Sequence, residues 1–317
     1  MKGHVLALAG GVGGAKLVRG LSQVLPPEQL SVVVNTADDF EHLGLTVCPD
    51  LDSVMYALAG LNDTERGWGL TDETWRFMHA LGRLDAPTWF SLGDQDLATH
   101  VVRTEMLRNG ATLSEVTRHL VNALGIQHPV FPMSDQAVRT MVQTPSGPLE
   151  FQRYFVEHQC APEVTGFQFA GAAEAKMSPG LQAALARTDL SAVIICPSNP
   201  FISIDPMLNI PGMRSALLNA RAPCVAVTPI VGGNAIKGPA AKMLSELGLS
   251  QSAEGIVEHY GDLLDGFLAD EQDRQSLSFD AALDVEFDNT LMKSDDDRQR
   301  VARAALAQAQ RLATPQT

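Results

Sequence analysis

Apolar positions along the chain keep two different rhythms. His4–Ala9 is a short apolar run of strand length that stops at a glycine cluster. Behind the glycines, Leu17, Val18, Leu21 and Leu25 recur at the three-and-four spacing of an amphipathic helix. A second strand is expected over 31–35, and the helical spacing returns near 52–59, 72–83, 97–109 and 113–124. Runs over 141–143, 151–156 and 164–169 predict strands in a stretch that reads as antiparallel. Strong buried-strand runs resume at 192–196 and 224–228, each ending in a loop rich in Pro, Gly and Asn. Asp295 to Asp297 are placed to cap a final helix running through Arg303, Ala305 and Leu306 to about Leu312.

Strands alternating with helices predict an α/β fold: a Rossmann-like, doubly wound, mostly parallel sheet. The interruption reads as a mixed antiparallel and helical insertion at about 132–190 within a single domain spanning 1–317. In open sheets of this class ligands bind beyond the carboxyl ends of the strands, so the unusual loops at those ends are where chemistry is to be sought.

The first such loop is Gly10-Gly11-Val12-Gly13-Gly14-Ala15-Lys16. Its glycines admit close approach by an anion to a helix start. It is not a Walker A loop, because Ala15 and Leu17 stand where that motif has Gly and Ser/Thr, and no acid ends the second strand as a dinucleotide fingerprint requires. The second region, Asn35-Thr36-Ala37-Asp38-Asp39 with Cys48-Pro49-Asp50-Leu51-Asp52-Ser53, packs four aspartates into the fifteen residues 38–52. That density suits Mg²⁺ beside substrate phosphates. Asp50 or Asp52 capping a helix that begins at Ser53 is the alternative.

A third loop carries Ser91, Asp94, Thr99, His100 and Arg103, with Thr99 and Arg103 one turn apart on one helix face; His100 by itself reads as an ordinary histidine. A fourth, with Ser134, Asp135 and Arg139, reads equally as ligand contact or solvated turn. The fifth and sixth follow the two strong strands: Ser198-Asn199-Pro200 on to Ser203, and Gly232-Gly233-Asn234 on to Lys237, which offer backbone donors and a point charge to an anion.

Composition narrows the classes. The 317 residues carry 23 Lys and Arg against 37 Asp and Glu, a net charge of −14 that argues against a nucleic-acid binder. Nothing approaches the ~18 apolar residues of a membrane helix, and no signal-peptide pattern opens the chain. Cys48, Cys160, Cys196 and Cys224 form no CxxC pair, and three of the four sit in or beside apolar runs, which fits buried thiols in a reducing cytoplasm.

Taken in order, Ala9-Gly10-Gly11-Val12-Gly13-Gly14-Ala15-Lys16, Cys48-Pro49-Asp50-Leu51-Asp52, Ser198-Asn199-Pro200 and Gly233-Asn234-Ala235 resemble the 2-phospho-L-lactate transferase (CofD) family of coenzyme F-420 biosynthesis, over nearly the whole chain. The resemblance implies transfer of a phospho-three-carbon acid (lactate, enolpyruvate or glycerate type) from a guanosine diphosphate-linked donor to the terminal ribityl hydroxyl of the deazaflavin Fo, with release of GMP. It also implies Mg²⁺ and a homodimer. By resemblance, Asp38, Asp39, Asp50 and Asp52 are the pool for metal and, for the first three, catalysis. Gly11, Gly13, Gly14, Lys16, Asn199, Ser203, Gly233, Asn234 and Lys237 would hold the nucleotide, and Ser91, Asp94, Thr99, Arg103, Ser134 and Arg139 would face the deazaflavin and the acid. The competing resemblance, to nucleotide-sugar-binding regulators of related fold without transferase activity, is weaker. Those carry a Gly-Gly-Gly-Thr-Gly opening and a Pro-Pro-Gly-Asp-type loop. This chain instead has Gly10-Gly11-Val12-Gly13-Gly14, then Asp38-Asp39-Phe40-Glu41-His42, then Cys48-Pro49-Asp50-Leu51-Asp52.

Overall fold

The computed structural model describes residues 3–235, 239–275, 278 and 283–313, with 234 and 235 described by backbone only. β1 (His4–Ala9) is buried along its whole length. Its side chains alternate: Val5, Ala7 and Ala9 enter one core, Leu6 and Leu8 the other. Burial on both faces is what an unbroken apolar run signifies in a parallel sheet.

The chain continues through α1 (Gly11–Val24), β2 (Leu30–Val34) and a hairpin of β3 (Phe40–His42) and β4 (Leu45–Val47). Next come α2 (Pro49–Ala59), α3 (Arg76–Arg83), α4 (Asp96–Arg108), α5 (Leu113–Ala123) and β5 (Val130–Pro132). β6 (Arg139–Gln143), β7 (Leu149–Glu150) and β8 (Gly166–Ala170) form a separate antiparallel sheet in the order β7-β6-β8. α6 (Pro179–Leu185) and β9 (Leu190–Ile195) follow, then α7 (Asp205–Leu208), α8 (Met213–Leu218) and β10 (Cys224–Val227). A two-stranded ribbon of β11 (Ile230–Val231) and β12 (Asn234–Ala235) leads to α9 (Ala240–Glu246) and α10 (Ala253–Tyr260). β13 (Gly266–Asp270), β14 (Asp284–Asp288) and α11 (Asp295–Leu312) complete the described chain.

The main sheet has the order β14-β13-β10-β9-β1-β2-β5, every neighbouring pair parallel. Apolar residues of α1, α2, α5 and α11 build the core on one face, and those of α6 to α10 the core on the other. The doubly wound α/β expectation holds. Among the described residues no helix is long and apolar enough to cross a membrane.

Several expectations are corrected. Residues 151–156 are not a strand: Phe151 and Gln152 start a helical segment that continues as a π-helix over Arg153–Glu157. Phe151 and Tyr154 are buried three apart, and the Phe151 and Phe155 rings stack at 5.4 Å, so the aromatic content reflects one helical face rather than strand pleating. α2 begins at Pro49, not Ser53, and neither Asp50 nor Asp52 caps it; the N-cap is Cys48 and both acids lie in the first turn. The last helix is capped by Ser294 in a capping box with Asp297. β5, β13, β14 and the β3–β4 hairpin carry no expectation from the sequence.

Candidate active site

From β1 the connections step one way, to β2 and β5; from β9 they step the other way, to β10 and β13. Ligands bind at such a reversal. There a cavity of about 510 Å³ opens, and its floor is built where the loops after β1 and β9 meet. The Gly10 N–H donates to Ser198 Oγ at 3.0 Å, and that hydroxyl donates back to the Gly10 carbonyl at 2.7 Å. A side chain at Gly10 would strike Ser203 and the Asp50 carboxylate, and one at Gly13 the Pro197 carbonyl. The glycines therefore serve close approach between two loops as well as access for a ligand.

Asn35 ties the acidic region to this floor. Its Nδ2 donates to Asp50 Oδ2 at 2.9 Å and to the Ile202 carbonyl at 3.2 Å, while its Oδ1 accepts from Ala37 N–H at 3.0 Å. Asp50 thus sits at the start of α2 against the Gly10-Gly11 backbone, and both Asp38 and Asp50 line the cavity. Both are buried. Burial, with the charge of Asp50 added, holds the Asp38 carboxyl well above the usual range. Burial likewise pushes Asp50 to about 6, against the bonds from Asn35 and Gly11 N–H. Asp39, also buried but absent from the lining, is raised to about 7 by burial and has an Oδ1 that takes no hydrogen bond among the described residues.

Asp52 belongs to a different arrangement. Both its oxygens receive the guanidinium of the fully buried Arg103, whose Nη1 lies 3.1 Å from Asp52 Oδ2 and 3.1 Å from His100 Nδ1. On the other side of the imidazole, Nε2 lies 3.2 Å from Asp96 Oδ2. Asp96 Oδ1 in turn accepts from Tyr56 O–H at 2.5 Å, and that phenol reaches Thr99 Oγ1 at 2.9 Å. Burial works to raise Asp96, but the adjacent His100 imidazole and the hydrogen bond from Tyr56 O–H leave it below its ordinary value. Asp52, Asp96 and His100 place possible ligand atoms within 4.8 Å of one another. The guanidinium already bound to both oxygens of Asp52 opposes a cation there. The cavity-facing members are Asp52, Tyr56, Asp96 and His100, of which sequence reasoning singled out only Asp52 for a role.

The remaining candidates divide cleanly. Gly11, Gly13, Lys16, Ser91, Asn199 and Ser203 line the cavity. Gly14 is packed inside against Ser198 and Ala9. Thr99 and Arg103 reach the site through Tyr56 and Asp52 respectively. Asp94 accepts from the Arg76 and Phe77 N–H groups and from Thr74 Oγ1, which fixes the start of α3. Ser134 closes a turn with Gln136, and Arg139 donates to the Val138 carbonyl; neither lines the cavity. The Gly232 and Gly233 N–H groups donate to the two oxygens of Asp273, at 3.0 and 3.2 Å, so a carboxylate of the chain itself takes the donors read as anion-holding. The side chain of Asn234 and all of Lys237 lie outside the described residues.

The same cavity also carries aromatic side chains. Aromatic residues make up 6% of the chain, yet Tyr56, Trp68, Phe90, Phe151 and Phe155 all line this cavity. Phosphate-scale polar contacts and planar rings are thereby offered within one space.

The family model described as 2-phospho-L-lactate transferase CofD matches residues 5–308. A phosphoenolpyruvate transferase of Streptomyces griseus is 42% identical over 85% of this chain and 86% of its own length. A 2-phospho-L-lactate transferase of Methanosarcina barkeri is 38% identical over 85% of this chain and 86% of its own. A crystal structure of a UPF0052-family protein from Bacillus halodurans superposes with a TM-score of 0.63 at 16% identity, covering 96% of this chain and all of that one, a likeness of fold. With a glycine and carboxylate floor at the switch point and a family match over nearly its full length, the chain belongs to the 2-phospho-L-lactate transferase CofD family.

Proposed function

We propose that this chain transfers a phospho-three-carbon-acid group (2-phospholactate, phosphoenolpyruvate or phosphoglycerate type) from a guanosine diphosphate-linked donor to the terminal ribityl hydroxyl of the deazaflavin Fo, in coenzyme F-420 biosynthesis. The observation that carries the reading is the meeting of buried Asp38 and Asp50 with the Gly10–Gly13 backbone and an aromatic wall in a single cavity. The ribityl oxygen attacks the phosphorus bearing the acid, the bond from that phosphorus to the bridging oxygen breaks, and GMP leaves with the electron pair. In phosphoryl transfer of this kind alignment and charge stabilisation do most of the work.

The chain's own groups supply both. Buried carboxylates raised by desolvation need either a proton or a cation to be comfortable, which makes Asp38 and Asp50 fitting holders of Mg²⁺. Bound there, Mg²⁺ would neutralise charge developing on the leaving phosphate. Asn199, Ser203 and the Gly11–Gly13 backbone hold the diphosphate, and a floor carboxylate takes the hydroxyl proton late in the transfer. The Asp52–Arg103–His100–Asp96–Tyr56 chain keeps the neighbouring wall rigid.

A donor-swap assay tests the proposal. Protein, Fo and Mg²⁺ are mixed with the lactyl, enolpyruvyl or glyceryl guanosine diphosphate, and GMP and the deazaflavin product are followed by mass. The expected result is product with one donor, lost on chelation, which names the acid. A folded protein giving no product with any donor would instead favour the nucleotide-sugar-binding regulator.

A further inference from the structure

Between Gly60, which ends α2 in the left-handed region, and α3 runs a segment that carries an aromatic ring to the cavity mouth. Asp63 organises it. Its carboxylate accepts from Glu65 N–H at 2.9 Å, from Arg66 N–H at 2.8 Å and from Arg66 Nη2 at 2.5 Å, while its own N–H donates to the Gly69 carbonyl at 3.0 Å. Thr71 N–H donates to the Leu61 carbonyl at 2.8 Å and closes the segment at its base. At the tip Trp68 stands between Gly67 and Gly69, whose φ values of 84° and 70° only glycine adopts without strain. The Arg66 guanidinium lies over Trp68 at 4.9 Å and over Trp75 at 5.0 Å, so it props one ring against the other.

All this fixes a large ring that the fold does not bury. Trp68 is 43% exposed and borders both the main cavity and an adjoining one of about 270 Å³. A ring held by an ion pair, a cation–π contact and two special glycines, and left open on the side of a cavity, is preorganised for an occupant. Scattered exposed apolar side chains need no explanation, but this one is held in place by dedicated contacts.

We infer that Trp68 is a binding residue on which one planar heteroaromatic ring of the substrates stacks. The inference rests on the transferase reading, which brings two such rings to the cavity: the guanine of the donor and the tricycle of the deazaflavin acceptor. Stacking on an aromatic side chain is tolerant of ring identity, so the chemistry is shared and the experiment separates the sources.

Binding of GDP with Mg²⁺, and separately of Fo, is measured by calorimetric titration for the wild type and for W68A, W68F and W68L, with melting temperatures as a control on folding. W68A is expected to weaken one of the two ligands by roughly ten- to hundred-fold and to leave the other within about threefold. W68F should recover most of the loss and W68L should not, and KM for the affected substrate should rise with kcat at saturation little changed. A loss confined to Fo makes Trp68 the acceptor platform, and one confined to GDP makes it the guanine platform. Equal binding by wild type and W68A, or rescue by W68L as complete as by W68F, would overturn the inference. Should W68A not fold, the contrast between W68F and W68L decides. A wild type that binds neither ligand would sink the transferase reading, and this inference with it.

Discussion

Asp50 and Arg103 show how differently two buried charges can be used. Asp50 is buried among amide and backbone donors, and Asp50→Asn should abolish Mg²⁺-dependent turnover while the melting temperature stays near that of the wild type. Wild-type rates in that variant would remove Asp50 from the mechanism. Burial raises Asp50 to about 6 and Asp39 to about 7, and raises Asp38 in the same direction, so above the unfolded value of about 4 the folded protein binds more protons than the unfolded chain. The metal-free protein therefore loses stability from these groups as pH rises above that value. Mg²⁺, competing with those protons, should raise the melting temperature more at about pH 8 than at about pH 5.5; an equal shift at both would exclude these carboxylates as its ligands. Arg103 instead neutralises Asp52. Arg103→Met should cost about 3–5 kcal/mol in denaturant unfolding by stranding Asp52, and Arg103→Lys should restore only part because it cannot bond both oxygens. The acids were legible because four aspartates in fifteen residues is dense. Which of them keeps a guanidinium was not, since the pairing of Asp52 with Arg103 spans 51 positions.

For the elements, legibility followed burial. β1, β9 and β10 run through the middle of the sheet and announce themselves as apolar runs, whereas β14 is an edge strand of alternating acids and apolar residues that is half-buried throughout. The segment 151–157 misled because stacked Phe151 and Phe155 satisfy helical and strand patterns alike over so short a run. Contacts between elements were out of reach altogether: Gly20 of α1 meets the Arg298 carbonyl of α11, where an added Cβ would sit 2.2 Å away. Gly20→Ala has no backbone obstacle within the helix, so any loss must come from forcing the two helices apart. A cost of roughly 1–3 kcal/mol is expected, read as a lower denaturant midpoint at unchanged slope. A midpoint raised by the better helix former would show that α11 yields freely.

Across the whole molecule, the cavity forms where the two wings of the sheet meet at one reversal of strand order. The net charge of −14 does not describe the cavity floor, where the proposed diphosphate donor would meet the Gly10–Gly13 backbone and two buried acids rather than the average surface. GDP and Mg²⁺ added together should therefore stabilise the fold in proportion to the logarithm of ligand concentration, by about 2.7 kcal/mol at a hundredfold excess over Kd. A melting temperature indifferent to GDP across that range would mean that the cavity is not its site.

The reciprocal bond between Gly10 and Ser198 joins residues 188 positions apart. During synthesis the first wing, with its acids, is complete long before the loop that forms the other half of the floor has left the ribosome. A nascent chain halted before β9 would carry Asp38 and Asp50 with no partner loop to close over them. The two halves of the floor thus meet in one late step, and a chain cut short carries the acids without the loop that packs beside them.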